Sequence, residues 1–132
     1  MLSWTPDYSV NVGPLDDQHR MLFRLIDSLG ENIEENKIER LDLTIDELAN
    51  YALYHFISEE RLLASFNYPD LEEHKAEHQS FAAQVKEYRC KLAGDKKELS
   101  SEIYLFLLNW LKQHIQETDK KYGPFLNEKS IY

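Results

Sequence analysis

Histidines and carboxylates at helical spacings are the residues of this chain best suited to chemistry. His55 and Glu59 are four residues apart, and His74 and His78 are again four apart. Residues at this spacing lie on one face of an α-helix, so each pair presents two donors to the same neighbour. Nitrogen and carboxylate oxygen together suit iron, manganese or zinc better than calcium or magnesium. The two pairs therefore predict a transition-metal site.

Three further candidate ligands lie on the first and last predicted helices: His19, His114 and Asp119. A single inward histidine is usually a core residue satisfied by a hydrogen bond. Five imidazoles and two carboxylates in one core are costly to bury unless they share a cation. Seven protein ligands exceed what one zinc or iron ion takes, so the set predicts two ions that share carboxylates and an oxide or hydroxide bridge.

The step from His114 to Asp119 does not fit a regular helix. Residues five apart are rotated well away from each other on an α-helix. A loosened turn near the helix end could bring Asp119 inward. Considered alone, however, Asp119 is better interpreted as a solvated charge in a polar run. Helix geometry by itself therefore leaves its role open.

Four amphipathic segments are expected to position these residues. In each one, apolar residues recur at steps of three and four, which is typical of helices packed in a bundle. Short polar or proline-containing connections separate them. The first predicted helix begins near Asp16 or Asp17 and ends at 34–37, and the second covers about 41–66. The third covers about 70–92, with a stop at Gly94–Asp95, and the fourth starts around 97–101 and runs to about 122, with a stop at Gly123–Pro124. The pattern predicts an all-α, up-down-up-down four-helix bundle.

The ends of the chain are predicted to lie outside the bundle. Residues 1–15 combine two prolines and a glycine with aromatic and aliphatic side chains. This composition favours an extended N-terminal arm lying on the bundle rather than a helix or a free tail. We therefore expect one domain over 1–132, divided into an arm (1–15), a bundle (16–122) and a short tail (123–132).

Composition narrows the class of protein. The 132 residues suit one domain, and the net charge of −9 without a basic run argues against nucleic acid and anionic membranes as partners. No apolar stretch is long enough to span a bilayer, and the N-terminus does not resemble a signal peptide. The single cysteine, Cys90, predicts no internal disulfide, a packing role and a cytoplasmic location.

The motifs together resemble the hemerythrin family, specifically the single-domain bacteriohemerythrins. The resemblance covers nearly the whole chain and rests on four stretches in order. They are Asp16–His19 after an aromatic arm, His55–Glu60, His74–His78 and Trp110–Asp119. The combination HxxxE, HxxxH and HxxxxD after a first-helix histidine is highly specific, and the five-residue step to Asp119 is the family's own spacing.

The resemblance implies two irons with unequal shells and reversible dioxygen binding at the open one. The closed iron would take three histidines, namely His74, His78 and His114. The open iron would take His19 and His55. Glu59 and Asp119 would bridge the two, with a solvent-derived oxygen as third bridge.

An apolar pocket is expected beside the open iron, formed by Phe56, Trp110, Leu111 and Ile115. A dry pocket shields a bound ligand from proton donors, although each of these residues could equally be ordinary core. Tyr122 either bonds a carboxylate or simply packs.

The leading functional hypothesis is a non-enzymatic oxygen carrier, store or delivery protein that would serve an oxygen-consuming enzyme. The sequence offers no separate nucleophile or substrate pocket. The alternatives are an oxygen or redox sensor acting through a partner, and a di-iron enzyme that reduces nitric oxide or peroxide. Metal storage is disfavoured because a closed seven-ligand site holds only two ions.

Overall fold

The all-α prediction is confirmed. The computed structural model describes residues 3–92 and 96–132, which form a four-helix bundle; the predicted stop at Gly94–Asp95 lies outside these ranges. Each helix packs on the next along the chain, and the fourth returns to the first. The helices are α1 (Gly13–Glu34), α2 (Leu41–Ser65), α3 (Leu71–Lys91), α4 (Lys96–Gln113), a π-helical segment (His114–Asp119) and α5 (Lys120–Glu128).

The fourth helix of the bundle is a single rod made of three successive segments. The chain passes from α4 through the π-helical segment into α5 without a break. Leu107 lies in the core part of α4, Ile115 in the π segment and Leu126 in α5, and all three are at most 1% exposed. One continuous apolar face therefore runs along the whole rod and holds it against the other helices.

The first helix begins earlier than predicted. It starts at Gly13 rather than at Asp16 or Asp17, and Pro14 stands in its first turn, where a missing N–H costs nothing. The Asp16 carboxylate does not cap the helix. It accepts hydrogen bonds from Val10 N (2.8 Å) and Ser9 Oγ (2.6 Å), and so anchors the arm to α1.

The predicted stop at Gly123–Pro124 is wrong, because α5 continues to Glu128. Pro124 comes soon after the π segment, where helical hydrogen bonding is already rearranged, so its missing N–H costs less than in a regular interior. Gly123 serves a different purpose: a Cβ there would lie 2.5 Å from Val10 O. The glycine allows close approach of the arm, and residues 123–128 belong to the bundle.

The arm lies on the bundle, as expected. Val10 and Val12 are buried, and the Tyr8 and Phe23 rings are 4.9 Å apart. Cys90, in contrast, is exposed on α3 rather than packed in the core. Among the described residues no helix is long and apolar enough to cross a membrane.

Candidate metal centre

All seven residues predicted as ligands come together in the middle of the bundle, and each is at most 3% exposed. Their donor atoms form two groups, and within each group all donor atoms lie within 4.8 Å of one another. The three-histidine group has His74, His78 and His114. The two-histidine group has His19 and His55. Glu59 and Asp119 belong to both groups.

Glu59 divides its two oxygens between the groups. Its Oε1 contacts His74 Nε2 and lies 3.2 Å from His78 Nε2. Its Oε2 lies 3.2 Å from His55 Nε2 and 3.6 Å from His19 Nε2. One carboxylate thus faces both groups at once.

Asp119 repeats this division. Its Oδ1 lies 3.2 Å from His74 Nε2 and 3.0 Å from His114 Nε2, whereas its Oδ2 lies 3.1 Å from His19 Nε2. Two carboxylates that each offer one oxygen to either group could bridge two metal ions.

The π-helical segment explains the five-residue spacing. His114 and Asp119 are the first and last residues of this segment. In a π-helix the backbone hydrogen bonds run from i to i+5, so residues five apart fall on the same side. The wider turn brings Asp119 to the face that already carries His114, which a regular α-helix would not do.

The polar atoms fit a cation. Neither nitrogen of His19 and neither oxygen of Asp119 has a hydrogen-bond partner among the described residues, although all four atoms are buried. The approach of His19 to Asp119 therefore lacks the directional geometry of a hydrogen bond. Buried polar atoms without partners are expensive. A shared metal ion would satisfy them, and the mixture of imidazole and carboxylate donors suits iron, zinc or manganese.

The charges of the ligands are mutually dependent. Burial alone lowers the pKa of His19 and of His74, but Asp119 and Glu59 more than offset it and raise each pKa to about 9. For His114 the same opposition, dominated on the raising side by Asp119, gives a pKa of about 10.

The two carboxylates show the reverse effect. Burial raises the pKa of Glu59, yet His55, His19 and His74 hold it well below its ordinary value. The pKa of Asp119 is likewise lowered, because His114 and His19 outweigh burial and the repulsion from Glu59. The centre therefore requires positive charge between its carboxylates, from protons or from metal ions.

Several ligand histidines have a second partner on the outside of the centre. His55 Nδ1 lies 2.6 Å from Gln18 Oε1, His78 Nδ1 lies 2.8 Å from Glu60 Oε2, and His114 Nδ1 lies 3.2 Å from Glu77 Oε1. With the hydrogen on Nδ1, each ring donates outward and keeps its Nε2 lone pair for the centre.

Sequence reasoning missed these outer partners. Gln18, Glu60 and Glu77 each stand beside a ligand in the sequence, and each bonds a ligand on the next helical element: α1 to α2, α2 to α3, and α3 to the π-helical segment. A residue next to an inward ligand points about 100° around its helix, towards a neighbour. Polar residues adjacent to ligands were the signal that could have found them.

Tyr122 resolves one alternative that the sequence left open. Its side chain is fully buried, and its hydroxyl donates to Glu59 Oε2 at 2.8 Å. Burial and the nearby carboxylates raise the pKa of Tyr122 well above its ordinary value, so the hydroxyl keeps its proton. Tyr122 therefore fixes the carboxylate oxygen that faces the two-histidine group.

Two of the predicted pocket residues, Phe56 and Trp110, pack mainly against the three-histidine group. The Phe56 ring stacks on His78 (centroids 3.9 Å apart, planes at 10°), and Trp110 stacks on His114 (4.4 Å, 14°). Leu111 and Ile115 are buried, at 4% and 0% exposure. Their part in a ligand pocket stays a prediction.

Comparison with known proteins gives concordant matches over almost the whole chain. The family described as Hemerythrin HHE cation binding domain matches residues 11–126. A bacteriohemerythrin of Methylococcus capsulatus is 30% identical and one of Clostridium acetobutylicum is 33% identical, covering 96% and 92% of this chain and 98% of either relative. A solved structure described as wild-type hemerythrin superposes with a TM-score of 0.83 at 29% identity, covering 94% of this chain and 96% of that one.

Proposed function

Because this chain belongs to the hemerythrin family, we propose that it binds dioxygen reversibly at a non-heme di-iron centre. The proposed ligands are His19, His55, Glu59, His74, His78, His114 and Asp119. The observation that carries the proposal is the division of both carboxylates, since Glu59 and Asp119 each direct one oxygen to either histidine group.

The unequal donor sets support a vacant coordination position on one ion. The three-histidine group offers five donor residues and the two-histidine group offers four. With one donor fewer, an ion in the two-histidine group would have room for an outside ligand. Bound iron would supply there both the open position and the electrons that dioxygen binding requires.

The surrounding side chains keep water and protons away from that position. Leu111 and Ile115 are buried on the rod that carries His114, and Phe56 and Trp110 shield the adjoining imidazoles. We propose Leu111 and Ile115 as the walls of the dioxygen pocket beside the two-histidine group, and Phe56 and Trp110 as the residues that close it on the side of the three-histidine group. An apolar wall disfavours charge separation, and so favours release of the ligand unchanged over its reduction.

Such a centre serves as an oxygen carrier or store rather than as an enzyme. The natural partner of a carrier is an oxygen-consuming enzyme, and we place the protein in the cytoplasm. Turnover separates this proposal from the alternative of a nitric oxide- or peroxide-reducing enzyme on the same site. The iron-loaded, reduced protein should take up one dioxygen for each iron pair and return it under vacuum. Sustained consumption of nitric oxide or peroxide with an electron donor would instead favour the enzyme.

A further inference from the structure

The two histidine groups differ in the residues that face their outer ring nitrogens, which point away from the centre. In the three-histidine group, the outer nitrogens of His78 and His114 face the carboxylates of Glu60 and Glu77. In the two-histidine group, the outer nitrogen of His55 faces the neutral amide of Gln18. His19 has no outer partner among the described residues.

A carboxylate behind a histidine changes its strength as a ligand. When an anion accepts the Nδ1–H hydrogen bond, it fixes the ring orientation and makes the other nitrogen more basic, so the ring binds a metal ion more tightly. A neutral amide oxygen also orients the ring, but its hydrogen bond is weaker than a charge-assisted one. The same ligand type is therefore a stronger donor in one group than in the other.

The outer carboxylates of Glu60 and Glu77 are held in place to different degrees. Glu60 is only 24% exposed and lies 2.8 Å from His78 Nδ1, so solvent screens it weakly. Glu77 is 44% exposed and lies 3.2 Å from His114 Nδ1. Thr118 compensates in part, because its hydroxyl lies 2.9 Å from both oxygens of Glu77 and fixes that carboxylate. The effect of Glu60 should accordingly be the larger.

We propose that Glu60 and Glu77 are positioning residues that make the three-histidine group the tighter metal position, so that the chain fills this position first and holds a more exchangeable second ion between His19 and His55. The inference rests on the proposed metal centre and goes beyond it. It gives the protein a one-ion form when metal is scarce. In that form the position proposed for dioxygen is empty, so oxygen binding depends on metal supply.

Zinc titration of the metal-free protein, followed by calorimetry, tests this order without oxygen or redox chemistry. We expect two steps, the first tighter than the second. A His19→Ala variant should retain only the first step. Glu60→Gln should weaken the first step by roughly 10–100-fold, Glu77→Gln by less, and neither should change the second. Glu73→Gln, at an exposed position of α3, is the matched control and should change nothing.

A variant expected to tighten zinc binding distinguishes the proposed role from a simple loss of folding. Gln18→Glu places a carboxylate behind His55 and should tighten the second step, a gain that misfolding cannot produce. Two zinc-binding steps of equal affinity would overturn the inference and leave the dioxygen proposal standing. So would affinities that neither Glu60→Gln nor Gln18→Glu changes. Zinc binding in the expected order by a protein that never binds dioxygen would support this inference and contradict the dioxygen proposal.

Discussion

The two halves of the centre share both carboxylates but have different surroundings. The three-histidine half has five donor residues, aromatic rings stacked on two imidazoles, and carboxylates behind those same two rings. The two-histidine half has four donor residues, one amide partner, and a histidine, His19, without an outer hydrogen-bond partner in the described part of the chain. We propose that the three-histidine half holds an ion more firmly and that the two-histidine half leaves room for an outside ligand.

Inserting one alanine after Glu117, within the π-helical segment, should have the largest effect on this comparison. One extra residue turns Asp119 about 100° further around the helix, away from both groups. Both halves lose a donor together, and metal analysis should show less than one ion per chain.

Asp119→Asn is the companion variant, because it removes the charge and keeps the wide turn. Its metal content should fall less than that of the insertion, which also displaces Tyr122. Two ions bound by the insertion variant would mean that the register set by the π turn is not needed to build the centre.

Metal removal should destabilise the protein in two unequal increments. Ligand that binds only the folded state adds RT ln(1 + [L]/Kd), which is about 4 kcal/mol at a thousandfold excess over Kd. The first equivalent of zinc should therefore raise Tm more than the second, as measured by circular dichroism during heating. Equal increments would remove the distinction between the halves.

A polar residue in the proposed pocket should affect only the two-histidine half. Leu111→Ser is expected to speed irreversible oxidation of the oxygenated protein by about tenfold, equivalent to ~1.4 kcal/mol of barrier, because it admits water beside the open position. Leu107→Ser, one turn away in the same buried stripe, is the control for lost packing. Equal oxidation rates in the two variants, followed optically, would exclude Leu111 from the pocket.

The smallest effect is expected for Tyr122→Phe. The change removes one hydrogen bond to Glu59 Oε2 and should cost about 0.5–1.5 kcal/mol of stability. The second zinc step should weaken severalfold, because this oxygen faces the two-histidine group. Chemical denaturation measures the stability and calorimetry measures the zinc step. If only the first zinc step changed, Tyr122 would act on the three-histidine group, and the prediction would be wrong.

The sequence was most informative where chemistry and helical period coincide. Pairs such as His55 and Glu59 need only the four-residue step to share a face, so their grouping could be predicted from spacing. Asp119 could not be placed that way, because a π turn depends on the surrounding packing. The start of α1 and the end of the predicted fourth helix were wrong for a similar reason: Pro14 and Gly123 are typical helix breakers, yet one suits a first turn and the other allows the arm to approach closely.

The outer partners depend on how neighbouring helices are rotated against each other. Gln18, Glu60 and Glu77 were visible as polar neighbours of ligands, but which imidazole each one meets is fixed only by tertiary packing. The difference between the two halves is therefore a property of the assembled bundle and not of any one motif.

The most direct measurement is an optical spectrum of the iron-loaded, reduced protein before air is admitted, after it is admitted, and after oxygen is removed again. Reversible dioxygen binding predicts a visible charge-transfer band that appears with air and disappears when oxygen is withdrawn, through repeated cycles. Immediate and permanent conversion to an oxidised spectrum would contradict reversible dioxygen binding and would favour a sensor or a redox enzyme.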